Sequence, residues 1–288
     1  MKPSRVAPKK SALRYHGGKW KIAPWILSFF PQHTCYVEPY GGGASLLLRK
    51  TPAFVEVYND LNDDIVNFFR TLRDRTDELL EAIHRTPFAK VEFEEVQLNA
   101  PGTDNLERAR RLYVWACQGW GRPGIAENPG GWRHQKTDNR GSTAAHDWND
   151  SSHLWAVAYR LRQVQIEHDD AIAVIQRYDT PSTLFYCDPP YPKASRLDPV
   201  HQTYPQDMTD EDHERLALAL QSIQGMAIIS SYRNELYDSL YPGWPLAQKQ
   251  VWTQNRANTR METLYISPRI KDKIPWPLQP QPQLSAPA

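Results

Sequence analysis

Four consecutive residues, Asp188-Pro189-Pro190-Tyr191, combine a carboxylate, two rigid rings and an aromatic face, directly after the apolar run Thr183-Leu184-Phe185-Tyr186-Cys187. These parts suit an exocyclic aromatic amine such as adenine N6. The lone pair of that nitrogen is delocalised into the ring, so it is a poor nucleophile. Asp188 and the Pro189 carbonyl can each accept one amino hydrogen and aim the lone pair without first removing a proton. Two prolines stiffen the loop and fix where the carbonyl points. Tyr191 offers a flat face on which an extruded base can stack. Asp188 could equally start a Pro-rich turn that merely closes a strand. The context favours chemistry, because ligands in open α/β sheets sit beyond the carboxyl ends of strands.

A second group lies far upstream. Tyr36-Val37-Glu38-Pro39-Tyr40-Gly41-Gly42-Gly43-Ala44-Ser45-Leu46 reads as a strand, a Gly-rich turn and the opening of a helix. Glycines there let the backbone turn sharply and bring its amides near a ligand. Asp60 follows at about the 20-residue spacing at which an acid grips a ribose hydroxyl pair in mononucleotide-binding units. A plain tight turn before a helix would look similar. The loop is not Gly-x-Gly-x-x-Gly and lacks Gly-Lys-Ser/Thr, which disfavours a nicotinamide dinucleotide and excludes a P-loop. Earlier still, Arg14-Tyr15-His16-Gly17-Gly18-Lys19-Trp20 sets two glycines beside an aromatic ring and a lysine, a weak carboxylate-binding pattern.

Five short apolar runs must position these groups as buried strands: Cys35–Val37, Phe54–Tyr58, Leu184–Cys187, Met226–Ser230 and Thr263–Ile266. Helical patterns accompany them, among them Asp63–Arg73 and Asp210–Ser222, the latter with capping-box spacing from Thr209 to Asp212. Strands alternating with helices imply a mostly parallel sheet covered on both faces. Residues 74–165 differ. Leu79–Ile83, Val91–Leu98 and Leu106–Cys117 suggest helices, Gly119–Asp150 is rich in Gly, Trp, Asn and charge, and no strand of the main sheet is expected. The organisation read from the sequence is a basic tail (1–11), a catalytic domain (12–73 and 166–274), a mainly helical insert (74–165) and a Pro-rich tail (275–288).

Composition narrows the class. The chain has 288 residues, is 40% hydrophobic and carries a net charge of +1, as expected of a globular protein. No apolar run approaches the ~20 residues that span a bilayer. The amino terminus lacks the apolar stretch of a secretory signal, so the cytosol is the expected compartment. Cys35, Cys117 and Cys187 are far apart and the histidines lack ligand spacing, so neither a disulfide framework nor a metal site is expected.

Together these segments resemble the Dam-like (class alpha) adenine-N6-specific DNA methyltransferases, in particular members from phages and restriction systems. The resemblance covers roughly residues 12–270, in the order Tyr15–Lys19, Glu38–Gly43, helical insert, Asp188–Tyr191. It implies a Rossmann-like, S-adenosylmethionine-dependent sheet of seven strands, one antiparallel near the end, where Val251 and Thr263–Ile266 could supply a hairpin. It implies S-adenosyl-L-methionine as cofactor, with Tyr15, Gly17, Gly18, Lys19, Glu38, Pro39, Tyr40, Gly41, Gly42 and Gly43 around its methionine moiety. Asp60 matches the ribose-binding acid, and Asp170 the acid facing the cofactor adenine, with Asp169 as a competing alignment. The catalytic residues carried over are Asp188, Pro189, Pro190 and Tyr191. Double-stranded DNA is the implied partner, in a bacterial or phage-infected cell and on the nucleoid; a cognate restriction endonuclease is a further candidate.

The insert fits a DNA-facing role. Between residues 105 and 140 stand Arg108, Arg110, Arg111, Arg122, Arg133, Lys136 and Arg140 against Glu107, Glu127 and Asp138, a local +4, interleaved with Trp115, Trp120 and Trp132. Cations neutralise phosphates while aromatics wedge between or read bases. Arg108, Arg110 and Arg111 share a helix whose other face is apolar, so some simply face solvent. Arg122, Arg133 and Lys136 are the expected DNA contacts. Two other readings stay open: a cytosine-N4 or RNA-base methyltransferase, and a non-catalytic cofactor- or DNA-binding module. Asp188 favours adenine over cytosine N4, and the intact tetrapeptide disfavours a lapsed enzyme.

Overall fold

The computed structural model describes residues 7–96, 103–119, 131–135, 143–195, 207–252 and 259–270. Its strands are β1 (Cys35–Glu38), β2 (Val55–Asn59), β3 (Val164–Glu167), β4 (Thr183–Cys187), β5 (Met226–Tyr232), β6 (Leu246–Trp252) and β7 (Thr259–Ile266). They form one seven-stranded sheet in the order β3-β2-β1-β4-β5-β7-β6. The first five in that order are parallel, and β7 lies antiparallel between β5 and β6. The expected α/β sheet with one antiparallel strand near its end is present.

The five apolar runs fall on β1, β2, β4, β5 and β7. Two strands depart from the sequence reading. β3 begins inside the stretch where no sheet strand is expected and pairs with β2 at the sheet edge. Only Val164 of its four residues is buried, so no apolar run marks it. β6 runs from Leu246, and its polar residues are held by pairing with β7 along seven positions.

The helices are α1 (Ala23–Leu27), α2 (Asp63–Asp74), α3 (Thr76–Arg85), α4 (Lys90–Glu94), α5 (Asn105–Gln118), α6 (Ala144–Asn149), α7 (His153–Leu161), α8 (Ala171–Tyr178), α9 (Asp210–Ser222) and α10 (Glu235–Leu240). Their starts follow from local chemistry. Asn62 caps α2 by accepting from the Asp64 and Ile65 amides, and Asp63 and Asp64 complement the positive helix end. Thr209 and Asp212 close the expected capping box on α9. The helix expected after the Gly-rich loop is reduced to turns over residues 44–50, with helical bonds from the Leu48 amide to Ala44 and from the Lys50 amide to Leu46. Thr51-Pro52 stops it, since the residue before a proline is pushed out of helical geometry.

Each sheet face buries its own core. Tyr36, Tyr58, Leu184, Tyr186 and Ile228 pack with α2, α5 and α7 on one side. Val37, Val57, Phe185, Cys187 and Ile229 pack with α8, α9 and α10 on the other. The alternation of neighbours within β1 and β4 between the two clusters is the period-2 geometry of a strand. Residues 74–165 share the first core: Leu79, Ile83, Ala109, Leu112 and Leu161 belong to the cluster that holds Phe68 and Phe69 of α2. Charge secures the same contact. Arg108 of α5 pairs with Asp63 and Asp64 of α2. Arg160 of α7 and Lys50 both reach Glu56 of β2, at 2.5 and 2.6 Å, in a cluster whose side chains are at most 10% exposed.

Candidate active site

The chain runs from β1 outward to β2 and β3, then crosses back to β4 and onward to β5, so the order reverses between β1 and β4. Crevices form at such a reversal, at the carboxyl ends of the strands. Glu38 ends β1 and Asp188 follows β4, which puts the Gly-rich loop and the Asp-Pro-Pro-Tyr loop side by side.

Two tyrosines mould the Gly-rich loop. Gly42 has φ +46°, and a Cβ there would lie 2.7 Å from the Tyr15 ring; a Cβ on Gly41 would lie 2.2 Å from the Tyr58 ring. The Tyr58 hydroxyl donates to the Gly42 carbonyl at 2.8 Å. Asp60 clamps the same turn, accepting from the Gly42 amide at 2.7 Å and the Asn62 amide at 2.8 Å. Its burial raises its carboxyl above the usual range, against the pull of those two amides.

A cavity opens above this loop, and all twelve residues expected at the cofactor line it: Tyr15, Gly17, Gly18, Lys19, Glu38, Pro39, Tyr40, Gly41, Gly42, Gly43, Asp60 and Asp170. Asp188 and Pro190 line it too. Of the two competing acids, Asp170 reaches the cavity while capping α8 through the Ile172 and Ala173 amides. Asp169 turns away to Arg177 at 2.6 Å. Glu38, Asp60, Asp170, Asp188, Asp207 and Asp212 face Lys19 and Arg215 across the cavity, an excess of negative charge suited to a cationic ligand. Glu38 accepts from the Tyr36 hydroxyl and the Leu47 amide, both at 2.7 Å, and burial pushes its carboxyl up to about 7.

The Asp-Pro-Pro-Tyr loop is more tightly held than its sequence suggests. Lys19 donates to Asp188 at 2.9 Å and to the Gly17 carbonyl at 3.0 Å. Burial pushes the Asp188 carboxyl up to about 6, opposed by Lys19 and reinforced by Glu262. The Tyr191 ring is 8% exposed. Lys19 lies over it, 5.0 Å from the centroid, and Tyr232 meets it edge-on at 4.8 Å. Its hydroxyl donates to Glu262, beside Ser230. Pro189 and Tyr191 are buried and do not line the cavity, whereas Asp188 and Pro190 do.

Several residues here carry no local sequence signal. Asn59, fully buried, donates to the Pro39 carbonyl at 2.9 Å and the Asp169 carbonyl at 3.0 Å, tying the ends of three strands together. Leu61, Ile172, Tyr186 and Met208 give the cavity apolar walls. Glu262 reaches the site from β7, 74 residues beyond Asp188, a proximity only the sheet order creates. Among the expected DNA contacts, Arg133 is 13% exposed and pairs with Asp147 at 3.2 Å. Arg122 and Lys136 lie outside the described residues. Arg110 and Arg111 pair with Glu107, and Arg110 also with Glu92, so the arginines of α5 are engaged within the protein. Cys35, Cys117 and Cys187 are free thiols. Among the described residues, no helix is long and apolar enough to cross a membrane, and no cluster of three or more His, Cys, Asp or Glu could hold a metal.

A mostly parallel sheet with an acid-lined cavity at its point of reversal defines a doubly wound α/β protein, with Asp188 and Pro190 in the cavity wall. The sequence profile of the D12 class N6 adenine-specific DNA methyltransferases matches residues 15–120 and 130–256. The chain belongs to that family. It is 28% identical over 78 residues to the DNA N-6-adenine-methyltransferase of Escherichia phage P1, covering 27% of this chain and 10% of that protein. It is 30% identical over 73 residues to the DNA adenine methylase of Escherichia coli K12, covering 25% and 26% of the two chains. It is 30% identical over 109 residues to the type II methyltransferase M1.LlaDCHI of Lactococcus lactis subsp. cremoris, covering 34% and 37%. The matched stretches thus span a tenth to about a third of these relatives. Among solved structures, a SAM-dependent methyltransferase from Agrobacterium tumefaciens aligns over 86% of this chain and 59% of its own, with 11% identity and a TM-score of 0.34.

Proposed function

We propose that the protein transfers a methyl group from S-adenosylmethionine to N6 of an adenine flipped out of duplex DNA. One observation carries the reading: Asp188 borders the cavity built by Tyr15–Lys19, Glu38–Gly43, Asp60 and Asp170, so a methyl donor and its acceptor would meet in one crevice. The excess of carboxylates there suits a sulfonium and ammonium cation. In this reading the Gly41–Gly43 turn and the Lys19-bearing turn receive the methionine moiety, Asp60 the ribose, and Asp170, Leu61 and Ile172 the adenine of the cofactor.

Asp188 and the Pro189 carbonyl then hold the target amine by its two hydrogens. The nitrogen attacks the sulfonium methyl in line, the C–S bond breaks toward sulfur, and the extra proton leaves the methylated nitrogen afterwards. Lys19 has to release an oxygen of Asp188 first. Residues 74–165 would carry target recognition, with Arg122, Arg133 and Lys136 as candidate contacts; Arg133 can serve only by exchanging Asp147 for a phosphate or base.

The test is transfer of radiolabelled methyl from S-adenosylmethionine to mixed-sequence duplex DNA, followed by nucleoside analysis. Label in N6-methyladenine supports the reading. Label in N4-methylcytosine or only in RNA replaces the acceptor. Absence of label in any nucleic acid, with cofactor binding demonstrated, sinks it.

A further inference from the structure

The transfer just described leaves one buried carboxylate without a task. Glu262 of β7 stands opposite Tyr232 of β5 and Lys249 of β6, and its side chain is 5% exposed. A carboxylate that deep is costly unless paired or well hydrogen-bonded. Its Oε1 accepts from the Tyr191 hydroxyl and, at 2.5 Å, from the Ser230 hydroxyl. The Lys19 ammonium lies 3.8 Å from the same oxygen, an ion pair without a hydrogen bond. That ammonium is bonded instead to Asp188, 2.9 Å from one oxygen and 2.8 Å from the other.

Lys19 bridges both oxygens of Asp188, so the target amine gains one of them in full only if the ammonium shifts. The ammonium must therefore move, either to water or to another anion. At 8% side-chain exposure, between the Gly17 carbonyl and the Tyr191 ring, Lys19 has a second carboxylate, Glu262, within ion-pair distance. A shift of ~1 Å closes the gap to Glu262 to an ordinary hydrogen-bond distance. A carboxylate has roughly four acceptor positions, and the two hydroxyls fill two of them.

We propose that Glu262 is a positioning residue for methyl transfer, receiving the Lys19 ammonium when the target amine occupies Asp188 and holding the Tyr191 hydroxyl throughout. The proposal rests on the amine-methyltransferase reading. Glu262 makes and breaks no covalent bond. Two carboxylates sharing one ammonium leave the site one negative charge in excess, beside the sulfonium.

Single-turnover methylation of adenine-containing duplex DNA, with full-length protein and labelled S-adenosylmethionine, tests it through Glu262→Gln, Lys19→Gln and the double variant. Glutamine keeps an oxygen for both hydroxyls and removes only the charge. The expected result is a rate at least ~10-fold below wild type for Glu262→Gln, with cofactor Kd within about twofold. The acid limb of its rate profile should move to lower pH, because Lys19 then stays on Asp188. In the Lys19→Gln background the same change should alter the rate less than about threefold, since no ammonium remains to be received. A wild-type rate in Glu262→Gln, or the same fold-loss in both backgrounds, overturns the proposal. If the glutamine variant does not fold, Glu262→Asp, which sets the charge one methylene further from Lys19, is read in the same two backgrounds by the same criterion. A wild-type protein that binds cofactor but methylates nothing overturns the functional reading and this proposal together.

Discussion

Asp188 has two opposed requirements. In the proposed transfer it has to be ionised to offset the positive charge that grows on the amine nitrogen, yet burial holds its proton up to about 6. The rate constant kcat/KM for DNA should therefore fall about tenfold per unit as pH drops below about 6. A flat profile between pH 5 and 7 would count against Asp188 as acceptor. Asp188→Ala should lower the single-turnover rate by ~10²–10³-fold while cofactor affinity, measured by calorimetry, stays within about threefold. The tetrapeptide that contains Asp188 is legible in the sequence because it is contiguous. The bond of Asp188 to Lys19 is not, because 169 residues separate the two in the chain. The flat face of Tyr191 was legible as an aromatic, but its present cover, Lys19 above and Tyr232 at the edge, arises only from the sheet.

At the scale of elements, the Gly-rich loop depends on two rings from different segments. Gly42→Ala would force a side chain into positive φ and against Tyr15. It should weaken cofactor binding at least ~10-fold and cost about 1–2 kcal/mol of stability. Gly131→Ala, where an added Cβ meets nothing within 4 Å, should alter neither cofactor Kd nor melting temperature. Helices with a strong start, α2 behind Asn62 and α9 behind Thr209, were readable from their caps. β3 was not, because an edge strand with one buried residue carries no periodic signal. The insert arginines illustrate a different limit. Sequence supplies their charge, but their partners Asp63, Asp64 and Glu92 come from other helices, so a count of cations overstates what is free for phosphate.

For the whole molecule, burial raises the pKa values of three cavity carboxyls, Glu38, Asp60 and Asp188, and the first and last shape the response to pH. Glu38 (about 7 against an ordinary 4.5) and Asp188 (about 6 against 3.8) both favour the folded state when protonated. Their contribution is complete below about pH 4 and is lost as pH rises through 6 and 7. A cationic ligand reverses this by stabilising the carboxylates. The rise in melting temperature on adding S-adenosylmethionine should thus be larger at pH 8 than at pH 6. The neutral thioether product should show a smaller difference, and Glu38→Gln should flatten both. Equal shifts at the two pH values would remove Glu38 from the cofactor site.

The buried cluster of Glu56 with Lys50 and Arg160 has a consequence for how such proteins can be recombined. Glu56 and Lys50 belong to the sheet side, whereas Arg160 arrives on α7, the last helix of residues 74–165. Grafting that whole stretch from a relative without an equivalent arginine would leave Glu56 with Lys50 as its remaining cation, at ~1.5–3 kcal/mol for the lost charged hydrogen bonds. That is a large fraction of the stability of an ordinary domain. A recombination joint placed before His153 keeps α7 with its own sheet. Chimeras joined there should remain soluble and melt cooperatively, while those joined at residue 165 should do so only if the donor restores an arginine at position 160.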